Sequence, residues 1–302
     1  MSLKSLRRRS WLAVSLVALA AAPALAADET AAEAEGPLLS PVSIVSTRTE
    51  KAVEDAPATV SVIDDRTIEA QLATDIKDLV RYEPGVTVRS SPVRFGAAFG
   101  ATGRDGNSGF NIRGLEGNRV QILVDGVRQP DAFSFGAQNM GRGDFGDLTM
   151  IKRVEILRGP GSALYGSDGV AGVVSMTTKN PADFLTGDRL FGIQGRLSYS
   201  SVDEGASAGL AGAFQAGDWS AMVAYNRREA SETETQGDNN ALNSTRTAAN
   251  PQDITSDAWL VKLVFAPGDA HRLRLTYERF DRTVDTDVLS GRSATVLEVL
   301  GH

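Results

Sequence analysis

Beyond about Phe184 the chain alternates apolar and polar residues with a period of two. Ile193, Leu197 and Tyr199 interleave with Gln194, Arg196, Ser198 and Ser200, and Trp219, Ala221, Val223 and Tyr225 with Ser220, Met222, Ala224 and Asn226. Further on, Trp259, Val261, Leu263 and Phe265 share one face, and Leu273, Leu275 and Tyr277 oppose Arg272, Arg274, Thr276 and Glu278. Successive side chains of a strand point to opposite sides, so each segment predicts a strand of about ten residues with one apolar and one wet face. A soluble sandwich and a membrane barrel both produce this alternation. Aromatics at the strand ends, short turns at Ala216-Gly217-Asp218 and Pro267-Gly268-Asp269, and a long polar connection from Glu229 to Asp257 favour the barrel.

The preceding part reads differently. Val42-Ser43-Ile44-Val45-Ser46 alternates like a short strand, with an edge to offer a partner through strand addition. Ala58 to Ile63 predicts a second strand, and Thr74 is a candidate N-cap for a helix whose Ile76, Leu79 and Val80 share a face until Pro84-Gly85 stops it. Asp125-Gly126 between Val120–Val124 and Val127–Gln129 is a type I′ hairpin signal. Ile151–Leu157 and Val173–Thr178 are further strand candidates, giving an α+β domain. Its loops 91–109 and 130–147 are long, Gly-rich and aromatic, with Phe95, Phe99, Phe133, Phe135 and Phe145. Loops of that length without structure of their own are usually functional or disordered.

The densest glycine run, "RGPGSALYGSDGVAGVV" at 158–174, has P-loop spacing at Gly161 and Gly166, but Ser167 and Asp168 stand where Lys and Ser/Thr are needed. An anionic Asp168 would repel phosphate, so nucleotide binding is set aside. Asp105-Gly106-Asn107-Ser108-Gly109 with Glu116 is similar to a calcium loop, yet Phe110 occupies the place where the EF-hand requires Gly. The tripeptide Arg142-Gly143-Asp144 is given no weight.

At the N-terminus, Lys4, Arg7, Arg8 and Arg9 precede an apolar run from Trp11 to Ala22 and the triplet Ala24-Leu25-Ala26. This reads as an export signal over residues 1–26, too short to span a bilayer, with cleavage after Ala26. Arg8-Arg9-Ser10-Trp11-Leu12 leaves a twin-arginine route open beside the ordinary one. Losing these four cations takes the net charge from −7 to −11, which argues against nucleic acid as a partner. Residues 27–41 are poor in large apolar side chains and read as a flexible leader. With no cysteine, and His271 and His302 as the only imidazoles, neither a Cys nucleophile, a His-based triad nor a multi-histidine zinc site can be assembled. No catalytic or metal set is found, and the reading is not an enzyme.

A compact domain preceding outer-membrane strands resembles the TonB-dependent receptors, in which a plug domain fills a 22-stranded barrel. "VSIVSTRTEKAVEDAPATVSVID" resembles the family's TonB box and first plug strand, "FNIRGLEGNRVQILVDGVRQ" its central plug motif, and "IKRVEILRGPGSALYGSDGVAGVVSMTTK" its last. Within the family, "DGVRQPDAFSFG" and "GRGDFGDLTMIKRVEILRGPGSALYGSDGVAGVVSMTTKNPADF" look most like the haem and haemoglobin receptors.

The resemblance implies a TonB box at Val42, Ser43, Ile44, Val45 and Ser46 and a plug ending near residue 183, followed by about five antiparallel barrel strands over 184–302. It further implies plug arginines, here Arg113 of "NIRG" and Arg158 of "LRGP", that meet glutamates on the barrel wall. The glycines Gly161, Gly166, Gly169 and Gly172 then serve close packing within a closed wall. Leu164 and Tyr165 become the apolar anchor of one helical turn stopped by Gly166. The ligand-facing candidates are Phe95, Phe99, Phe133, Phe135 and Met140, the last a soft thioether, because residues 27–185 hold no histidine.

The function implied is active import across the outer membrane of haem or haemoprotein-derived haem, drawing energy from inner-membrane TonB. An iron-siderophore is the alternative cargo, and the haem or chelate is transported ligand rather than resident cofactor. Outer-membrane lipid is the remaining partner, and the plug and N-terminus face the periplasm. A 22-stranded barrel needs roughly 450 residues after the plug, so the expectation is an N-terminal piece of a receptor. The alternative of another class is a soluble periplasmic binding or scaffold protein.

Overall fold

The computed structural model describes residues 42–43, 51–52, 55, 59–89, 109–131, 134–135, 138–139, 146–161, 165–167, 169–185, 187–268 and 271–292. The expected export signal and leader lie outside them. So do Ile44, Val45, Ser46, Phe95, Phe99, Phe133 and Met140.

The N-terminal domain is built on a mixed five-stranded sheet. Strands β1 (Val42–Ser43) and β2 (Lys51–Ala52) pair with each other; β3 (Thr59–Asp64) leads into helices α1 (Asp65–Ala70) and α2 (Ile76–Leu79). β4 (Val86–Arg89) pairs antiparallel with β5 (Gly109–Ile112), and β6 (Val120–Val124) turns into β7 (Val127–Arg128). Short strands β8 (Ser134–Phe135) and β9 (Gln138–Asn139) precede β10 (Ile151–Arg158) and β11 (Gly172–Thr178). The sheet order is β3-β10-β11-β6-β7, with β11 and β6 parallel.

Both faces of this sheet are covered. Val154, Ile156, Val174 and Met176 pack on Ile68, Ile76 and Leu79 of the helices, while Val60, Leu123, Leu157 and Val173 form a second cluster under the half-buried Tyr165. This is why β6 is buried at every position although it lies in a sheet.

Local chemistry accounts for the elements. Asp64 Oδ1 accepts from the Thr67 N–H at 2.8 Å and caps α1, a helix that apolar periodicity did not announce. The cap of α2 is Asp75, accepting from the Asp78 N–H at 2.8 Å, not the expected Thr74. The carboxylate one residue on takes the orphan donor, and the Thr74 hydroxyl bonds the Asp78 carboxylate at 3.2 Å instead. Asp125 and Gly126, at φ of 47° and 81°, form the expected hairpin turn. Gly172 is required by contact: a Cβ there would lie 2.2 Å from the Leu157 carbonyl oxygen. The Tyr165 N–H donates to the Gly161 carbonyl at 3.1 Å, and Gly166 follows at φ +90°. Leu164, the other half of the expected anchor, is outside the described residues.

The second part is one antiparallel sheet in chain order: β12 (Phe191–Ser200), β13 (Gly205–Ala216), β14 (Trp219–Ser231), β15 (Gln252–Phe265) and β16 (Leu273–Thr286). β13, GASAGLAGAFQA, escaped the pattern because Gly and Ala give little contrast between faces. β14 and β15 also run past the expected limits, so the long connection is 232–251. The ladder sustains this through pairs such as Ser231↔Asp253, which hydropathy does not reveal. No helix among the described residues is long and apolar enough to cross a membrane, which says nothing about crossing by strands.

The sheet has two unlike faces. Ile193, Leu197, Tyr199, Leu210, Phe214, Val223, Leu273 and Leu275 are all exposed on one side, an apolar surface that water does not favour. The other side carries small or polar residues, including Ser207, Ala211, Ala213, Ala224, Asn226 and Ala258, and is buried against the N-terminal domain. On the outward face Trp219 stacks on Phe265 and Tyr225 packs tilted against Trp259, each at 4.4 Å between ring centroids. The two pairs stand six residues apart along β14, or roughly 20 Å.

Candidate functional site

The seam between the N-terminal domain and this wall is where the chain concentrates buried chemistry. Its apolar part is Met150 with Phe184 and Leu185, packed on Ala211, Ala213, Met222, Ala224, Ala258 and Leu260. A capping box between Asn180 and Asp183 fixes the single turn Pro181–Asp183 that delivers Phe184. The small wall residues let the two backbones approach.

The polar part centres on Lys262. Strand alternation places it on the inward face of β15 beside Leu260, and it is fully buried. Its Nζ meets Asp125 Oδ2 at 2.9 Å and donates to the Thr178 carbonyl at 3.2 Å and to Asn180 Oδ1 at 3.4 Å. An ammonium has three N–H donors, and each has an acceptor here. Asp125 is held from its own side as well: Oδ1 accepts from the Thr178 N–H at 2.9 Å and Oδ2 from the Thr178 hydroxyl at 2.6 Å. The hairpin turn therefore serves twice, ending β6 and presenting a carboxylate to the wall. Removing one partner of such a pair leaves a buried charge uncompensated, at a cost of about 3–5 kcal/mol.

Two further contacts join the same parts. Asn226 Nδ2 donates to Asp147 Oδ2 at 2.6 Å, and Arg196 Nη1 reaches Glu69 Oε1 at 3.3 Å. Glu69 also faces Lys179 at 3.8 Å. Across Lys262 and Arg196 the wall supplies cations and the N-terminal domain carboxylates.

Arg113 and Arg158, expected to meet wall glutamates, have other partners among the described residues. Arg158 is buried, and its Nη2 meets Glu83 Oε2 within the N-terminal domain at 2.5 Å while Nη1 donates to Ser61 Oγ at 2.8 Å. Arg113 is exposed at φ 51°, its N–H donating to the Gly85 carbonyl at 2.9 Å. Neither pairs with a wall glutamate among the described residues. Val42 and Ser43 lie in β1, paired through Ala52 and Lys51. Phe135 lies in β8, opposite Gln138. The structure thus brings together Lys262, which the sequence reading did not single out, and Asp125, read there as a turn residue. The one signal was a lone lysine on a strand face otherwise lined by Ser256, Ala258, Leu260 and Val264.

No group of three or more His, Cys, Asp or Glu among the described residues is arranged to hold a metal ion. The seam offers acid–base pairs that seat one part on the other.

Comparison with known proteins agrees with this arrangement. Residues 52–173 match the family model of the TonB-dependent receptor plug domain. The hemoglobin and hemoglobin-haptoglobin-binding protein B of Haemophilus influenzae is 32% identical over 234 residues, covering 72% of this chain and 21% of its own length. Transferrin-binding protein A of the same species is 32% identical over 179 residues, 57% of this chain and 18% of the relative. This chain thus spans about a fifth of the length of these relatives. Among solved structures, the FrpB iron transporter from Neisseria meningitidis in its apoprotein form superposes with a TM-score of 0.61 at 23% identity, covering 74% of this chain and 32% of that one. At that identity the likeness speaks for the fold.

Proposed function

The chain belongs to the TonB-dependent receptors, and from that premise we propose that it acts as an outer-membrane active-transport receptor for haem or haem delivered by a haemoprotein. One observation carries the reading: a two-faced sheet turns its apolar side outward and seats an α+β plug on its inner side through buried ion pairs. A seated plug closes a path and must shift for cargo to pass. No covalent chemistry is needed, only work from outside the membrane.

The work is assigned to TonB, pulling on the segment Val42 to Ser46 from the periplasmic side. Strand addition supplies a grip made of main-chain hydrogen bonds, independent of the side chains it holds. β1 already pairs with β2, so a partner adds at the other edge of β1 or displaces Lys51–Ala52. The cargo reading rests on the hemoglobin-binding relatives and on the aromatic loops around Phe95, Phe99, Phe133 and Phe135, whose rings suit a porphyrin face.

The test is haem binding by the intact receptor in outer-membrane fractions, read from the Soret band. Wild type should bind haem, and Met140→Ala should leave the spectrum unchanged, the strong ligand lying outside the plug. A shifted band in that variant assigns ligation to the plug instead. Wild type that binds an iron-siderophore and no haem replaces the cargo reading with the chelate one. Recovery of the protein in the soluble periplasmic fraction overturns the receptor reading itself.

A further inference from the structure

Lys262 holds the plug, yet a plug that moves must leave it behind. Withdrawal of Asp125, Thr178 and Asn180 removes all three acceptors of a fully buried ammonium at once. At the first step of withdrawal, before water reaches the seam, the ammonium is still covered and already without acceptors, among the most costly states a protein interior can hold. That step is a barrier to release.

The wall carries a second carboxylate within reach. In the register of β15 and β16, Lys262 lies opposite Thr276, and Leu260 opposite Glu278. Residues 260, 262, 276 and 278 share the inward face, so Glu278 is the diagonal neighbour of Lys262. Diagonal neighbours stand about 7–8 Å apart, a span that long side chains close. Glu278 is also at the seam, since a Cβ on Gly146 of the plug would lie 3.1 Å from its Oε1. Two carboxylates, one on each part, therefore flank one ammonium.

We propose that Lys262 changes partner when the plug is displaced, leaving Asp125 of the departing hairpin and pairing with Glu278 of its own wall. No proton moves and no bond breaks; one charge-assisted contact replaces another. The exchange keeps the ammonium compensated throughout, so the ion pair secures the resting plug without blocking its release. Re-entry of Asp125, already held in place by Thr178, reverses the step.

This inference rests on the reading that the plug shifts during transport, and its test is independent of both TonB and cargo. The 302 residues hold no cysteine, so Ser43→Cys, in an intact receptor with any cysteine beyond residue 302 replaced by serine, gives a single attachment point for pulling the plug at constant force in outer-membrane vesicles. Glu278→Gln should slow extraction at least about tenfold, the factor one charge-assisted hydrogen bond is worth. Hydrogen exchange of the Asp125-Gly126 hairpin should stay at the wild-type level in the unpulled variant. In a Lys262→Met background, Glu278→Gln should have no effect; Lys262→Gln, which keeps a donor and drops the charge, serves equally should the Met variant misassemble. Extraction of Glu278→Gln at the wild-type rate overturns the proposal. So does slowing that survives in either Lys262 background, since Glu278 would then act by repelling Asp125.

Discussion

Arg158 and Glu83 are joined inside the plug, guanidinium Nη2 to carboxylate Oε2 at 2.5 Å, with the arginine side chain 6% exposed. The pair ties the end of β10 to the turn between α2 and β4, and the bond from Nη1 to Ser61 ties both to β3. Three elements distant in sequence are thus fixed by one side chain. Arg158→Met should destabilise the plug by about 3–5 kcal/mol, the scale of a broken buried pair. Limited proteolysis of the receptor would show faster cleavage between residues 59 and 89. Cleavage unchanged from wild type would reduce Arg158 to a bystander in plug stability.

Gly172 makes a second prediction, one of space alone. The Leu157 carbonyl and Ile112 Cδ1 would lie 2.2 Å and 2.7 Å from a Cβ there. Gly172→Ala must therefore push β11 from β10 and should lower stability by about 1–3 kcal/mol. Gly195→Ala is the control, since a Cβ at that position meets nothing within 4 Å. Equal melting temperatures for the two variants would remove packing as the reason for the glycine at 172.

Much of this was legible because some residues admit few conformations. Asp125-Gly126 announced its hairpin since both positions require positive φ, and the alternation in β12, β14, β15 and β16 announced strands because only a strand returns to the same face every second residue. β13 was hidden by its Gly and Ala, which neither face distinguishes. The seam was harder still. Lys262 and Asp125 meet through tertiary packing, and a turn aspartate reads the same whether or not a lysine waits across from it. Arg158 was found by motif, yet its partner Glu83 was not, because the Pro84-Gly85 signal marks a turn without saying which of its side chains pairs elsewhere.

The proposed handle at Val42 to Ser46 gives a third prediction. Proline lacks the N–H a ladder needs, so Ile44→Pro should abolish uptake by the receptor while ligand binding stays intact. A binding assay on whole cells, run beside accumulation of labelled ligand, separates the two. Normal accumulation by the proline variant would move the handle elsewhere along the chain.

The outward face of the wall decides between membrane and water. Val223 is 48% exposed and pairs with Val261, between the Trp219–Phe265 and Tyr225–Trp259 ring pairs, four residues from the first and two from the second. If those pairs mark the two edges of a hydrocarbon layer, arginine at 223 sits inside it, nearer the Tyr225 edge, and costs up to about 2–4 kcal/mol. Glu229, farther along β14 on the same face and beyond the second ring pair, lies in the polar zone; its ion pair with Arg227 is exposed and contributes little. Val223→Arg should therefore reduce the heat-modifiable, folded band of the receptor in outer membranes, while Glu229→Arg should leave it unchanged. Water on that face gives the opposite pattern for Val223, because an arginine at a half-exposed surface position changes stability by less than about 0.5 kcal/mol. Equal folded bands for wild type and both variants would thus assign the apolar surface to a soluble assembly and displace the membrane reading of the wall.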